Sequence, residues 1–420
     1  MLLSSVPALS DRLTAEGEAE SLHSLGEVSL PPRLRADAAT SVLDITEWFG
    51  ETSGGIRTYL LEKARYVDAR PWLRQTIVVP GHRDRVVDGD GVRLYRLRGP
   101  HIPGQRPYRF MLATRSVSRV VRHERPDLIE VGSPFIIPWI TRSTARSLDI
   151  PMVCFAHTDV PRQFAPNAER DGTLRRALAH GSAWYLRRLD RLFPLTIVAS
   201  DYAATELARI GIDRVAKVPL GVDLERFSPE RRERARDTRR RFRLPDGPLA
   251  AFVGRFAREK ELGVVLDAWR DVERRCGARL ALVGAGPMES MLKAHPYGDR
   301  VTFIPFLRDR DALADLLASL DLYIAAGPLE TFGLSAIEAM ASGTPVLTVR
   351  HGAVLEHVRT GGGASYERGS AGSLADEAVQ LFARHLSTLG EAARSHVERA
   401  HAWDTVFDRL FAVYRDVLER

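Results

Sequence analysis

Glu330-Thr331-Phe332-Gly333-Leu334-Ser335-Ala336-Ile337-Glu338-Ala339-Met340-Ala341-Ser342-Gly343-Thr344-Pro345 joins two glutamates with seven residues between them. An apolar run, Leu320 to Ala326, precedes it and ends at Gly327-Pro328, which reads as a short buried strand. After Gly333 the period changes. Leu334, Ile337, Met340 and Ala341 fall on one face of a short helix. Ser342-Gly343-Thr344-Pro345 supplies the stop, and Val346 to Val349 the next strand. The expected order is strand, loop, helix, strand, with Glu330 in the loop and Glu338 in the helix. Eight positions of continuous helix span about 12 Å. An acid/base pair of the glycosidase kind needs about 5–9.5 Å, so the two carboxylates suit different parts of one long ligand. The amides of Phe332, Gly333 and Leu334 sit at the helix start, where unpaired N–H groups and the helix dipole favour an anion such as phosphate.

The 420 residues are enough for two domains, and 45% hydrophobic with 27% charged residues is ordinary for a globular chain. Cys154 and Cys276 lie far apart and offer no disulfide framework or metal cluster, which fits a reducing cytoplasm. No apolar run approaches the roughly 20 residues of a membrane-spanning helix, and the first residues lack the pattern of a signal peptide. The net charge of +6 is carried almost wholly by arginine. It suits an anionic ligand or peripheral contact with an anionic membrane at its inner face better than nucleic acid, for which no basic-aromatic array is visible.

Outward from the opening stretch, strands and helices alternate in two halves. Residues 1–40 are weakly patterned and are expected to form a loosely structured extension. Ser41 to Thr46 reads as the first strand. Gly54-Gly55 then leads into a helix in which Ile56, Tyr59, Leu60, Lys63 and Ala64 step at helical spacing. Asp88-Gly89-Asp90-Gly91 sits between two short β runs, as expected of a hairpin turn. Helices are expected over Tyr108 to His123, Ile137 to Ala145 and Leu174 to Leu192. The strand Met152 to Ala156 delivers His157-Thr158-Asp159 at its exit, where open α/β sheets place ligand contacts. The charged residues 223–248 read as a linker with a solvated helix. In the second half, the strand Leu249 to Gly254 exits into Arg255 and Lys260, two cations that suit a diphosphate. Gly284-Ala285-Gly286-Pro287 turns the next strand into a helix, and Val301 to Phe306 is another short strand.

Taken together, Val253 to Leu262 (VGRFAREKEL), Val283 to Pro287 (VGAGP) and Glu330 to Val346 (ETFGLSAIEAMASGTPV) resemble the retaining glycosyltransferases of family 4. Trp403 to Leu418 is similar to that family's terminal helix. The resemblance covers nearly everything after residue 40 and implies an α/β GT-B fold, two doubly wound Rossmann-like domains facing a central cleft. The boundaries it suggests are 41–222 for the acceptor domain, 249–395 for the nucleotide-sugar domain, and 396–420 for a terminal helix crossing back. It further implies that Arg255 and Lys260 hold the donor diphosphate, that Glu330 binds the transferred sugar, and that Glu338 binds the ribose. The amides of Phe332, Gly333 and Leu334 would lie near Glu330, Gly54 and Gly55 would meet the phosphate, and His157 would lie near the donor sugar. Gly284, Gly286 and the segment Phe303 to Phe306 would border the base.

The expected activity is transfer of a hexose, of mannose or glucose type, from a GDP- or UDP-sugar to a glycan or lipid-linked acceptor. His157-Thr158-Asp159 is similar to members that use GDP-mannose or lipid acceptors. No metal or cofactor is implied, because cations and a helix start would stabilise the leaving diphosphate. Asp88 and Asp90 have the Asp-x-Asp spacing of metal-dependent glycosyltransferases of another architecture, but here they fall in the hairpin turn. The alternative from a different class is a non-catalytic sugar-nucleotide-binding or scaffold protein. The incomplete glycine fingerprint counts against a Rossmann dehydrogenase.

Overall fold

A computed structural model describes residues 30–50, 55–103, 108–157 and 173–420, with side chains in the last segment from 177 onward. Gly54, Thr158 and Asp159, expected near the donor, lie outside the described residues.

In the first half the elements run β1 (Thr40–Ile45), α1 (Gly55–Asp68), β2 (Leu73–Gly81), β3 (Arg85–Asp88), β4 (Val92–Arg98), α2 (Thr114–Glu124) and β5 (Leu128–Val131). They continue with α3 (Ile137–Ser147), β6 (Met152–Ala156), α4 (Thr173–Asp190), β7 (Thr196–Val198), α5 (Asp201–Arg209) and β8 (Val215–Lys217). A 3-10 turn and α6 (Ala235–Arg241) lead to the second half. There follow β9 (Leu249–Val253), α7 (Leu262–Cys276), β10 (Arg279–Val283), α8 (Glu289–Lys293), β11 (Thr302–Ile304), α9 (Arg310–Ala318) and β12 (Leu322–Ala325). Then come α10 (Leu334–Ala341), β13 (Val346–Val349), α11 (Val354–His357), β14 (Gly363–Tyr366), α12 (Ala371–Phe382), α13 (Leu386–Ala400) and α14 (Trp403–Leu418).

Among the described residues these strands make two sheets. The first has the order β3-β4-β2-β1-β5-β6-β7-β8 and is parallel apart from the β3–β4 hairpin. The second, β11-β10-β9-β12-β13-β14, is parallel throughout. In each sheet the chain winds one way from a central strand and then returns to build the other way. The order therefore reverses between β1 and β5 in the first sheet, and between β9 and β12 in the second. A crevice opens at the carboxyl ends of the strands at such a reversal.

The strands are buried on both faces, as sheets covered by helices require, and those of the first sheet also bury Asp44, Gln75 and Glu130. Lys63, which helical spacing places among apolar residues, meets those carboxylates. It lies on the inward face of α1 with 0% exposure and pairs with Asp44 at 2.6 Å and Glu130 at 3.6 Å. Tyr414, from the last helix, accepts from the Lys63 ammonium at 2.6 Å, and its own hydroxyl donates to Glu130. Thus α14 packs against α1 and completes the core of the first half.

Several local expectations change. Residues 108–113 are not helical, because Phe110 donates its N–H to Pro100 and Arg109 pairs as a bridge with His101. Residues 396–420 are not one helix. Residues 396–400 end α13, and the chain crosses at His401 and Ala402, where the His401 carbonyl accepts from Val222. The segment 223–248 is clamped rather than free. Arg231 bonds Asp315 at 2.7 Å and Asp311 at 2.6 Å, and Arg239 bonds the Ser319 carbonyl and Asp321. Ahead of β1, Arg35 donates to the carbonyls of Val67, Asp68, Arg70 and Leu73, so that part of the extension is anchored.

Candidate active site

The reversal in the second sheet brings the exits of β9 and β12 together. The β9 exit carries Arg255 and, on a single 3-10 turn, Lys260. The β12 exit carries Glu330 and leads into α10. There the Lys260 ammonium and the Glu330 carboxylate form an ion pair. Gly327 lies beside both, since a Cβ there would touch the Lys260 stem at 3.1 Å.

At α10 the cap is Gly333 with φ of 88°, a conformation that favours glycine. A side chain there would also run into Val354. Among the described residues no acceptor takes the N–H groups of Phe332, Gly333 or Leu334. They remain as donors at the positive end of the helix dipole. The Phe332 ring itself is buried behind the loop against His357 and His401, so only its backbone is available to a ligand. Further along α10, Glu338 is buried, and the Arg310 guanidinium of α9 holds its carboxylate at 2.5 Å. Arg310 also lies over the Phe227 ring. It had no local signal in the sequence, because its pairing joins two separate helices.

The remaining predicted residues divide. Arg255 is 60% exposed and turned toward Glu259, at 3.2 Å. Gly284 and Gly286 pack against backbone, since a Cβ on either would overlap Gly254 or Phe256. Their close approach ties the β9 and β10 exits together, and Phe256 donates its N–H to Ala285 at 2.9 Å. Phe306 is exposed just beyond β11. At the start of α1, a Cβ on Gly55 would meet nothing within 4 Å. Asp88 is occupied by Arg93, at 2.7 and 2.9 Å, and Asp90 donates its backbone N–H to Asp68.

His157 stands at the exit of β6, stacked on Phe155 at 4.2 Å and tilted against Tyr59. Burial, and then the Lys63 ammonium, push it down to about 3, so it presents a neutral imidazole at neutral pH. Its carbonyl accepts from the Thr331 hydroxyl at 2.7 Å, and Thr331 follows Glu330 directly. Ser200 donates to the Thr331 carbonyl at 2.7 Å. The Glu356 carboxylate accepts from the backbone N–H groups of Asp201 and Tyr202, at 3.1 and 2.6 Å, capping α5 across the cleft. The loop that carries Glu330 is thereby fixed to two strand exits of the first sheet. Ser200, Thr331 and Glu356 were not singled out in the sequence, because a hydroxyl or carboxylate that bonds backbone across a cleft leaves no motif.

One further carboxyl lies at the first sheet's reversal. Burial raises Glu47 above the usual carboxylate range, while Ser133 donates to it at 3.0 Å. An apolar pocket between β6, α4 and α5 ends beside this site. Leu186, Leu189, Phe193, Leu207, His157 and Thr331 are among its walls.

The arrangement offers a cation paired with Glu330 and, at the start of α10, backbone amides that no acceptor among the described residues takes, with Glu338 buried further along the same helix. That is a set of contacts for a sugar diphosphate carried on a nucleoside. The chain is also similar to known proteins. Residues 53–226 match the family described as Glycosyltransferase Family 4, and residues 247–384 match Glycosyl transferases group 1. A GDP-mannose-dependent alpha-(1-6)-phosphatidylinositol dimannoside mannosyltransferase of Mycobacterium tuberculosis is 31% identical, over 85% of this chain and 90% of its own length. A GDP-mannose-dependent alpha-mannosyltransferase of the same species is also 31% identical, over 79% of this chain and 84% of its own. Among solved structures, sucrose-phosphate synthase from Thermosynechococcus elongatus superposes with a TM-score of 0.71 at 20% identity, covering 90% of this chain and 99% of its own. An Anabaena protein solved with UDP and glucose gives 0.69 at 17% identity, covering 90% and 100%.

Proposed function

The chain belongs to glycosyltransferase family 4, with the GT-B fold, and we propose that it transfers mannose, with retention, from GDP-mannose to a lipid-linked acceptor. The observation that carries the reading is the Lys260–Glu330 pair beside the free amides of α10, with Glu338 on the same helix. The names of the mannosyltransferase relatives favour GDP-mannose over a UDP-sugar.

In this reading the diphosphate lies against Lys260, with Arg255 swinging from Glu259, and its charge falls on the α10 amides. Glu330 takes hydroxyls of the sugar, and Glu338 the ribose. As the glycosidic bond breaks, negative charge grows on the leaving oxygen. In this reading Lys260 and the helix start would face that oxygen, and being held by the fold they would stabilise it with little reorganisation. The acceptor attacks from the face that the diphosphate leaves. Its proton passes to the departing phosphate, so no carboxylate becomes a covalent nucleophile. Neutral His157 can share a hydrogen bond with the sugar without adding charge. The apolar pocket next to it suits a lipid chain of the acceptor.

The test is a screen of GDP- and UDP-sugars for nucleotide release with lipid-linked and free polyol acceptors. GDP release from GDP-mannose that depends on the acceptor is expected, and it should survive excess EDTA. Tight nucleotide binding with no turnover by any pair would instead support a scaffold role. A strict divalent-metal requirement would overturn the metal-free departure of the diphosphate.

No described helix is long and apolar enough to cross a membrane. On α4, however, Leu178 and Trp184 are 51% and 58% exposed. Arg188 lies over the Trp184 ring. Apolar side chains among arginines suit the interface of an anionic bilayer. The protein is expected to sediment with anionic but not zwitterionic liposomes, and Trp184→Ser should weaken that binding. Equal sedimentation with both, or with neither, would dismiss the membrane contact.

A further inference from the structure

We propose that His357, His396 and His401 form a binding site for a zinc-type divalent cation. They come from three places: the end of α11, the interior of α13, and the crossing to α14. One ring nitrogen of each lies within 4.8 Å of those of the other two. The ring centroids are 5.0, 5.3 and 5.8 Å apart.

The other contacts of these rings prepare them as ligands. His357 Nε2 bonds the Phe332 carbonyl at 3.2 Å, and His401 Nδ1 bonds the Leu220 carbonyl at 3.0 Å. A carbonyl only accepts, so each of those nitrogens carries the proton, and the second nitrogen of each ring keeps its lone pair. Metal-binding histidines are oriented in this manner by a carbonyl on the far nitrogen. Packing alone accounts for His357 and His401. It does not account for His396, whose Nε2 is buried without a hydrogen-bond partner among the described residues.

Three imidazoles with an open fourth position suit Zn2+ at about 2.0–2.1 Å per nitrogen. Nitrogens around a common ion at that distance lie about 3.4 Å apart, so small ring rotations would close the set. The bound ion would tie the loop entering α10 to the chain crossing, since His357 holds Phe332 and His401 holds Leu220. It would stabilise the fold without touching the transferred sugar.

The experiment is calorimetric titration of the chelator-treated full chain with Zn2+, with a parallel thermal melt. One equivalent is expected to bind and to raise the Tm. His396→Gln is expected to bind at least about tenfold more weakly, with an unchanged Tm in chelator. No saturable binding at one equivalent, or wild-type affinity in His396→Gln, would overturn the site. If that variant does not fold, Co2+ on the wild-type chain decides. A strong visible spectrum of tetrahedral type supports the site, and the weak octahedral type refutes it. EDTA is expected to lower the Tm while kcat is retained, which separates this site from the transfer chemistry.

Discussion

Lys260→Ala is expected to lower kcat/KM for GDP-mannose by about a hundred- to a thousandfold, the scale seen when one preorganised donor to a developing negative charge is removed. Lys260 is only 20% exposed and is fixed at the sheet reversal by its pairing with Glu330. At that exposure it is partly withdrawn from solvent, where a charge counts for more than at the open surface. Arg255 is 60% exposed and its partner Glu259 lies on the same turn, so Arg255→Ala should cost less. Steady-state kinetics would show the Lys260 loss mainly in kcat, because the charge it meets grows in the transition state. Lys260→Ala also leaves Glu330 without its counter-ion. The double variant Lys260→Ala with Glu330→Gln separates the two effects. If it recovers most of the activity, Lys260 serves only to neutralise Glu330, and the leaving-group role fails.

The second large effect concerns stability. Lys63→Ala is expected to destabilise the fold by about 3–5 kcal/mol, because it strands buried charge. Asp44 and Glu130 are 1% and 2% exposed, with the lysine between them. Gln75 donates to the far oxygen of Asp44, and Tyr59 and Tyr414 donate to Glu130. Burial already pushes Glu130 up to about 7 against the pull of Lys63. Without the lysine, one carboxyl must take up a proton or the site must admit water. Calorimetry should record a Tm lower by on the order of 10 °C. A melt within about a degree of the wild type would show that the network contributes nothing net, as some buried ion pairs do.

What could be read from the sequence was whatever repeats at short range. The register of α10 followed from Leu334, Ile337, Met340 and Ala341, and its end from Gly343, which has φ of 73°. The Asp88 to Gly91 turn followed from turn chemistry, and Lys63 was placed on the apolar face of its helix by spacing. The partners of that lysine were not legible, because Tyr414 lies 351 residues away. Arg310, Thr331 and Glu356 were missed for the same reason. The arginines of residues 231–239 looked like a solvated run, since composition cannot tell a free guanidinium from one bonded to Asp311, Asp315 or Asp321. The three histidines, at positions 357, 396 and 401, have no spacing motif. The fold alone brings them together.

The helix from Trp403 to Leu418 has a consequence for how the protein is made. Asp44, Lys63 and Glu130 emerge from the ribosome early, while the Tyr414 hydroxyl that joins them is 351 residues behind Lys63. At roughly 5–20 residues per second, that is an interval of roughly 20–70 s. For that time the face of α1 around Lys63 lacks the cover that Phe407, Leu410 and Tyr414 later supply. The first domain is translated first but is the last to be sealed.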